Sequence, residues 1–136
     1  MGLLNIFGRK DTASNAAATP YSISTELVPY KLYAKKNSSA LLEVRLTNMT
    51  KDVLLTSLTV EVPAKIGLDE MIVSRQKDLK IGEMQPSEQK DVKLSIFSSI
   101  ASDPGEYTLQ VTATAHYRDY GHVLNMVKKR VTVSVV

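Results

Sequence analysis

The chain has 136 residues, a formal charge of +3 and no cysteine. That length is one domain on the usual scale of about 100–200 residues, and the missing thiols exclude a disulfide framework, a thiolate metal site and a cysteine nucleophile. The densest basic runs, Lys35-Lys36 and Lys128-Lys129-Arg130, are too short for the stripe of a nucleic-acid module, so no nucleic-acid partner is expected.

At the N-terminus Leu3, Leu4, Ile6 and Phe7 precede Arg9 and Lys10. A signal peptide puts its charges first, a membrane-spanning helix needs about 20 apolar residues, and myristoylation wants Ser or Thr where Ile6 stands. The expectation is a cytoplasmic protein, with weak membrane contact by residues 1–10 as the alternative. Residues 11–19, DTASNAAAT, are small and polar and run up to Pro20. Residues 1–20 therefore read as a flexible arm and residues 21–136 as the folded domain.

From there the apolar period is two, the mark of a half-buried strand. Residues 22–34 form a weak candidate interrupted by Pro29, which argues for an edge strand or one that switches sheets. In residues 40–48 the inward set is Leu42, Val44 and Leu46, followed by a turn at Asn48-Met49-Thr50-Lys51-Asp52. In residues 54–62 it is Leu58, Val60 and Val62, stopped by Pro63.

Residues 64–73, AKIGLDEMIV, break the alternation. Ile66, Leu68, Met71 and Ile72 are read either as a flap closing one end of the fold or as an adaptable binding loop. Residues 70–81 are a second weak strand, and residues 91–97 alternate again with Val92, Leu94 and Ile96 inward.

The clearest strand is 107–117, YTLQVTATAHY, with Tyr107, Leu109, Val111, Ala113, Ala115 and Tyr117 on one side. Tyr107 follows Pro104-Gly105 and is either a corner tyrosine bonded to nearby backbone or an ordinary core aromatic. Arg118-Asp119-Tyr120-Gly121 closes a hairpin, with Gly121 expected to supply positive φ. The last strand, 127–136, turns Val127, Val131, Val133 and Val135 inward, though Lys129 breaks its pattern. About seven strands and no helical period give an all-β, immunoglobulin-like antiparallel β-sandwich.

Three stretches, LEVRLTN at 42–48, KIGEMQPSEQKDVKLSI at 80–96 and DPGEYTLQVTATAHYRDYG at 103–121, resemble the CARDB-like immunoglobulin domains of prokaryotic, archaeal-type surface-layer and cell-adhesion-related proteins. The shared features are the Asn48 turn, Ile81 with Pro86-Ser87, Gly105-Glu106-Tyr107, and the hairpin Tyr117-Arg118-Asp119-Tyr120-Gly121. The resemblance covers residues 24–136 and implies fold rather than activity. Those domains normally sit in long exported proteins with signal and anchor segments. None is visible here, so an intracellular, stand-alone relative is expected.

Catalytic groups are sparse. His116 and His122 flank the last hairpin with Asp119 between them, a spacing that matches no metal motif. Asp69 and Glu70 are adjacent, so on an extended chain they face opposite ways. No Gly-rich phosphate loop occurs. No enzyme activity, cofactor or metal is expected.

What remains is contact surface: a non-enzymatic interaction or assembly module, binding a protein or a second copy through edge strands or end loops. The residues expected to carry it are Ile66, Leu68, Met71 and Ile72 in the loop, Tyr117 and Tyr120 in the hairpin, and Val133 and Val135 in the last strand. One alternative is a carbohydrate- or surface-binding domain using Tyr30, Tyr33, Tyr117 and Tyr120. Another is a membrane-peripheral protein held by Leu3, Leu4, Ile6 and Phe7.

Overall fold

In the computed structural model, which describes residues 19–136, the alternating segments become eight strands, with no helix among the described residues. They are β1 (Tyr21–Val28), β2 (Lys31–Leu32), β3 (Ser38–Asn48), β4 (Leu54–Glu61), β5 (Gln76–Met84), β6 (Gln89–Ser98), β7 (Gly105–His116) and β8 (Val123–Val135). One sheet has three strands in the order β1-β3-β6, the other five in the order β2-β8-β7-β4-β5. Only β2 with β8 is parallel. The expected arm, except for its last two residues, and the expected membrane contact lie outside the described residues.

The sheets face one another across a shared apolar interior, which makes the fold an immunoglobulin-like sandwich. Leu42, Val44 and Leu46 meet Leu58, Val60, Leu109, Val111, Val133 and Val135 there, all at 2 % exposure or less. Each such side chain contributes about 1.5–3 kcal/mol by leaving water. One sheet alone would leave these residues wet, so each sheet depends on the other.

Pro29 separates β1 from β2, and the two strands lie on the edges of different sheets. A residue without an N–H cannot continue a ladder. The chain therefore leaves the smaller sheet at Pro29 and rejoins the fold beside β8. Segment 70–81 becomes a strand only from Gln76, and the last strand starts at Val123, ahead of the basic run.

Two turns are held by side chains. Asn48, fully buried, donates from Nδ2 to the carbonyls of Asp52 (2.8 Å) and Met84 (2.9 Å). Its Oδ1 accepts from the Thr50 amide (2.9 Å) and hydroxyl (2.7 Å). At the opposite end the Tyr107 hydroxyl donates to the Asp103 carbonyl at 2.8 Å, as a corner tyrosine should.

β7 departs from simple alternation. It lies between β4 and β8, and from Val111 to His116 both of its faces are buried. Its outward Thr112 and Thr114 are short and stand beside the longer Lys128 and Met126 of β8, while His116 is covered by Tyr120. Tyr117, expected inward, is exposed because β7 ends at His116 and the chain turns. The positive φ of that hairpin belongs to Arg118 (71°), not to Gly121. Asp119 takes over the holding role, accepting from the Gly121 amide at 2.9 Å.

Candidate interaction surface

Three loops gather at one end of the sandwich: 33–37, 62–75 and 99–104. Asp103 joins them through ion pairs with Lys35 and Lys65. Those cations, Lys35 first by its hydrogen bond, hold the Asp103 carboxyl below the ordinary carboxylate range. Buried Ser102 donates to the Lys65 carbonyl, and the Lys35 amide donates to the Ser102 carbonyl at 2.9 Å.

The 62–75 loop crosses from the larger sheet to the smaller one. Gly67 exchanges backbone bonds with Phe97 in β6, at 3.0 and 2.8 Å. A side chain at Gly67 would not fit, because its Cβ would lie 2.7 Å from the Ile72 Cα. Ile66 is fully buried in the core, so its expected role as a contact residue is corrected. Leu68 packs partly against the core and Ile72 is half-buried. Met71 (79 %) and Val73 (74 %) project outward, as does Ile100 (75 %) in the neighbouring loop. Beside them an open cavity of about 280 Å³ is lined by Asn37, Ser38, Ser39, Glu70, Phe97 and Ser98. Tyr30 and Tyr33 lie at this end too, but Lys31 stands over both rings and Lys36 over Tyr33. Their faces are thus partly taken by cations, which disfavours sugar stacking.

The opposite end carries the β7–β8 hairpin. His122 Nδ1 is 2.7 Å from Asp119 Oδ1, and Tyr117 leans on the His122 ring at 5.0 Å. The hydrogen bond from His122, followed by that from the Gly121 amide, lowers the Asp119 carboxyl's affinity for protons. Tyr120 meets the His116 ring edge-on at 5.1 Å and lies under Lys80. The two expected tyrosines therefore sit against separate histidines and form no single platform.

Sequence reasoning missed one contact here. His116 Nε2 lies 2.7 Å from Ser57 Oγ, because the β4–β7 register brings together residues 59 apart. A serine beside an imidazole is the start of a nucleophilic site, but a third group must orient the base. His116 Nδ1 is buried with no hydrogen-bond partner, and the cavity lies at the other end. Among the described residues no group of three His, Asp or Glu side chains could hold a metal.

The third region is β8. Val133 and Val135 point into the core, as their alternation implies, so a partner at this strand would meet its backbone and not these two side chains. β8 pairs with β7 along its whole length, yet on its other side, among the described residues, only β2 joins it, opposite Ser134 and Val135. The Val136 amide donates to Leu32 (3.0 Å) and its carbonyl accepts from Ala34 (2.7 Å). By strand alternation the backbone groups of Thr132, Arg130 and Lys128 face the same side, beyond the reach of β2. The open edge is therefore the upper part of β8, not its final residues.

At the top of that edge Val123 (52 %), Leu124 (60 %) and Met126 (46 %) are exposed. Leu124 is the extra residue of a bulge, since His116 pairs with Val123 and Ala115 with Asn125. Lys129 occupies an inward position of β8, and its Nζ donates to the Ile23 carbonyl of β1 at 3.0 Å. An inward lysine on an open strand is a known guard against edge-to-edge pairing. The broken alternation at Lys129 was the sequence signal for this edge.

No family model matches the chain, and no curated protein matches it by sequence. Solved structures share its fold. A FixG-related protein from Vibrio parahaemolyticus is similar over 87 % of this chain and 98 % of its own, with a TM-score of 0.55 and 11 % identity. A Salmonella alpha-2-macroglobulin mutant is similar over 87 % of this chain but only 7 % of its own, at 0.60 and 17 %. The CARDB domain of a Pyrococcus furiosus protein, in complex with di-metal ions, is similar over 85 % of this chain and 87 % of its own, at 0.55 and 16 %. The expected likeness to CARDB domains thus holds at the level of fold.

Proposed function

We propose that this chain is a non-enzymatic protein-interaction module whose contact surface is the open edge of β8 and the apolar start of that strand. The observation that carries the reading is the mismatch between β8, paired throughout with β7, and β2, which covers only Ser134 and Val135. Unpaired strand edges bind extended segments through main-chain hydrogen bonds, and neighbouring side chains select among them. The non-enzymatic part rests on the Ser57–His116 pair, whose imidazole has nothing to orient it. Sandwich folds carry enzymes as well as binding modules, so the site and not the fold supports this.

The experiment is photo-crosslinking in the native host, with the reactive side chain placed in turn at Leu124, Met126 and, as a control, Thr59. Adducts that concentrate at positions 124 and 126 are expected. Adducts equal at all three positions, or absent from 124 and 126, overturn the reading. A second reading, contact through Met71, Val73 and Ile100, is favoured by their exposures of 79, 74 and 75 %. With the reactive side chain also placed at Met71, adducts confined to that position would select it.

A further inference from the structure

We infer that the segment β8 accepts is an extended acidic strand of another protein, an inference that rests on the open-edge reading above. The first support is unspent charge. Lys128 and Arg130 stand on the outer face of β8, opposite Thr112 and Gln110 of β7, neither of which carries a carboxylate. Among the described residues four other cations pair with acids, Arg45 with Asp91, Lys90 with Glu88, and Lys35 and Lys65 with Asp103, whereas scattered ones such as Lys51 and Lys93 stand alone. Lys128 and Arg130 differ from these in lying side by side along an open edge. Among the described residues neither Lys128 nor Arg130 has an ion-pair partner.

The second support is geometry. The outward N–H and C=O groups of Lys128, Arg130 and Thr132 continue the row that β2 begins. A strand laid along that row places every second side chain on the outer face, about 6.8 Å apart. Two acidic residues separated by one other therefore fall beside Lys128 and Arg130. The intervening side chain turns inward beside the stem of Lys129, between the partly buried Val127 and Val131.

Other occupants fit less well. Two copies joined edge to edge about a two-fold axis would lay Lys128-Lys129-Arg130 against itself or give up most of the rungs, and like charges opposite one another repel. A nucleic acid would meet only two outward cations, because Lys129 is turned to β1, and it would leave the strand's amides unpaired.

The test is titration of isotope-labelled, full-length protein with short synthetic peptides, followed by amide NMR. One peptide alternates Val and Glu, one alternates Val and Lys, and one is the Val-Glu peptide N-methylated along its pairing side. The Val-Glu peptide is expected to shift the amides of Lys128, Arg130 and Thr132, and to bind about tenfold more tightly than the Val-Lys peptide. Methylation should abolish binding, and the double change K128E/R130E should reverse the charge preference while the circular dichroism stays the same. Equal binding of both charged peptides at β8 overturns the acidic specificity but leaves the open edge standing. If no peptide shifts these amides, this inference fails; silent crosslinks at 124 and 126 would sink the reading beneath it as well. Tighter binding of a single-stranded oligonucleotide at the same amides, or dimers formed through β8, also overturns it.

Discussion

The Tyr21 hydroxyl and the Thr56 hydroxyl lie 2.7 Å apart, joined across the space between the two sheets. Tyr21 is almost fully buried at the top of β1, and that burial pushes its phenol above the usual tyrosine value. Ala115, which stands opposite Thr56 on β7, is small and leaves the interior to the ring. Tyr21→Phe should cost about 0.5–1.5 kcal/mol, since Thr56 still donates to the Leu54 carbonyl at 3.1 Å. Tyr21→Ala should cost about 3–5 kcal/mol by leaving a void. Urea denaturation separates the two, and equal losses would show that the hydroxyl rather than the ring matters.

Asn48→Ala should lower stability by about 2–4 kcal/mol, because it strips two donors from buried carbonyls and an acceptor from Thr50. Asn48→Asp should be worse at neutral pH, where a carboxylate would face the carbonyls of Asp52 and Met84. Protonation relieves that clash, so the Asp variant should recover part of its loss in acid. Denaturation midpoints measured against pH check both.

Lys129→Val completes the apolar alternation of β8 and removes the bond to Ile23. The monomer should keep its stability or gain slightly, but the edge loses its guard. Light scattering and sedimentation should show association that grows with concentration. A variant as monodisperse as the parent would mean that Lys129 does not protect the edge.

Asp91, Asp103 and Asp119 are all held below the ordinary carboxylate range, first by hydrogen bonds from Arg45, Lys35 and His122 respectively. The folded chain thus gives up these protons more readily than the unfolded chain. Their contribution to stability is whole above about pH 4 and is lost as pH falls through the lowered values. All three groups are exposed, so the effect should be modest and should shrink at high salt. Asp103→Asn should flatten the acid slope of thermal stability and loosen the loops bearing Lys35 and Lys65.

The sandwich was legible because Leu42, Val44 and Leu46, like Leu109 and Val111, alternate strictly, and period two has one physical meaning on a pleated sheet. Pro29 announced a change of sheet for the same reason, as a missing donor. Legibility ended where a property depends on a neighbour. Which stretch of the β8 edge is covered depends on what pairs beside it, and β2 is only Lys31–Leu32. That the loop residue Ile66 is buried was not legible, because nothing in the nearby sequence shows that Gly67 bridges to Phe97. Ser57 and His116 lie too far apart in the chain for any spacing rule to join them.

The double burial of β7 sets what kinds of genetic change this fold can absorb. Swapping Thr112 or Thr114 for another short polar residue alters one contact. Inserting a single residue near Gln110 would instead exchange every face from there to His116, driving threonine hydroxyls and an imidazole into the interior and alanines out. Lineages descended from this sequence should therefore vary the letters of β7 while keeping its length, and collect their insertions in the loops at either end.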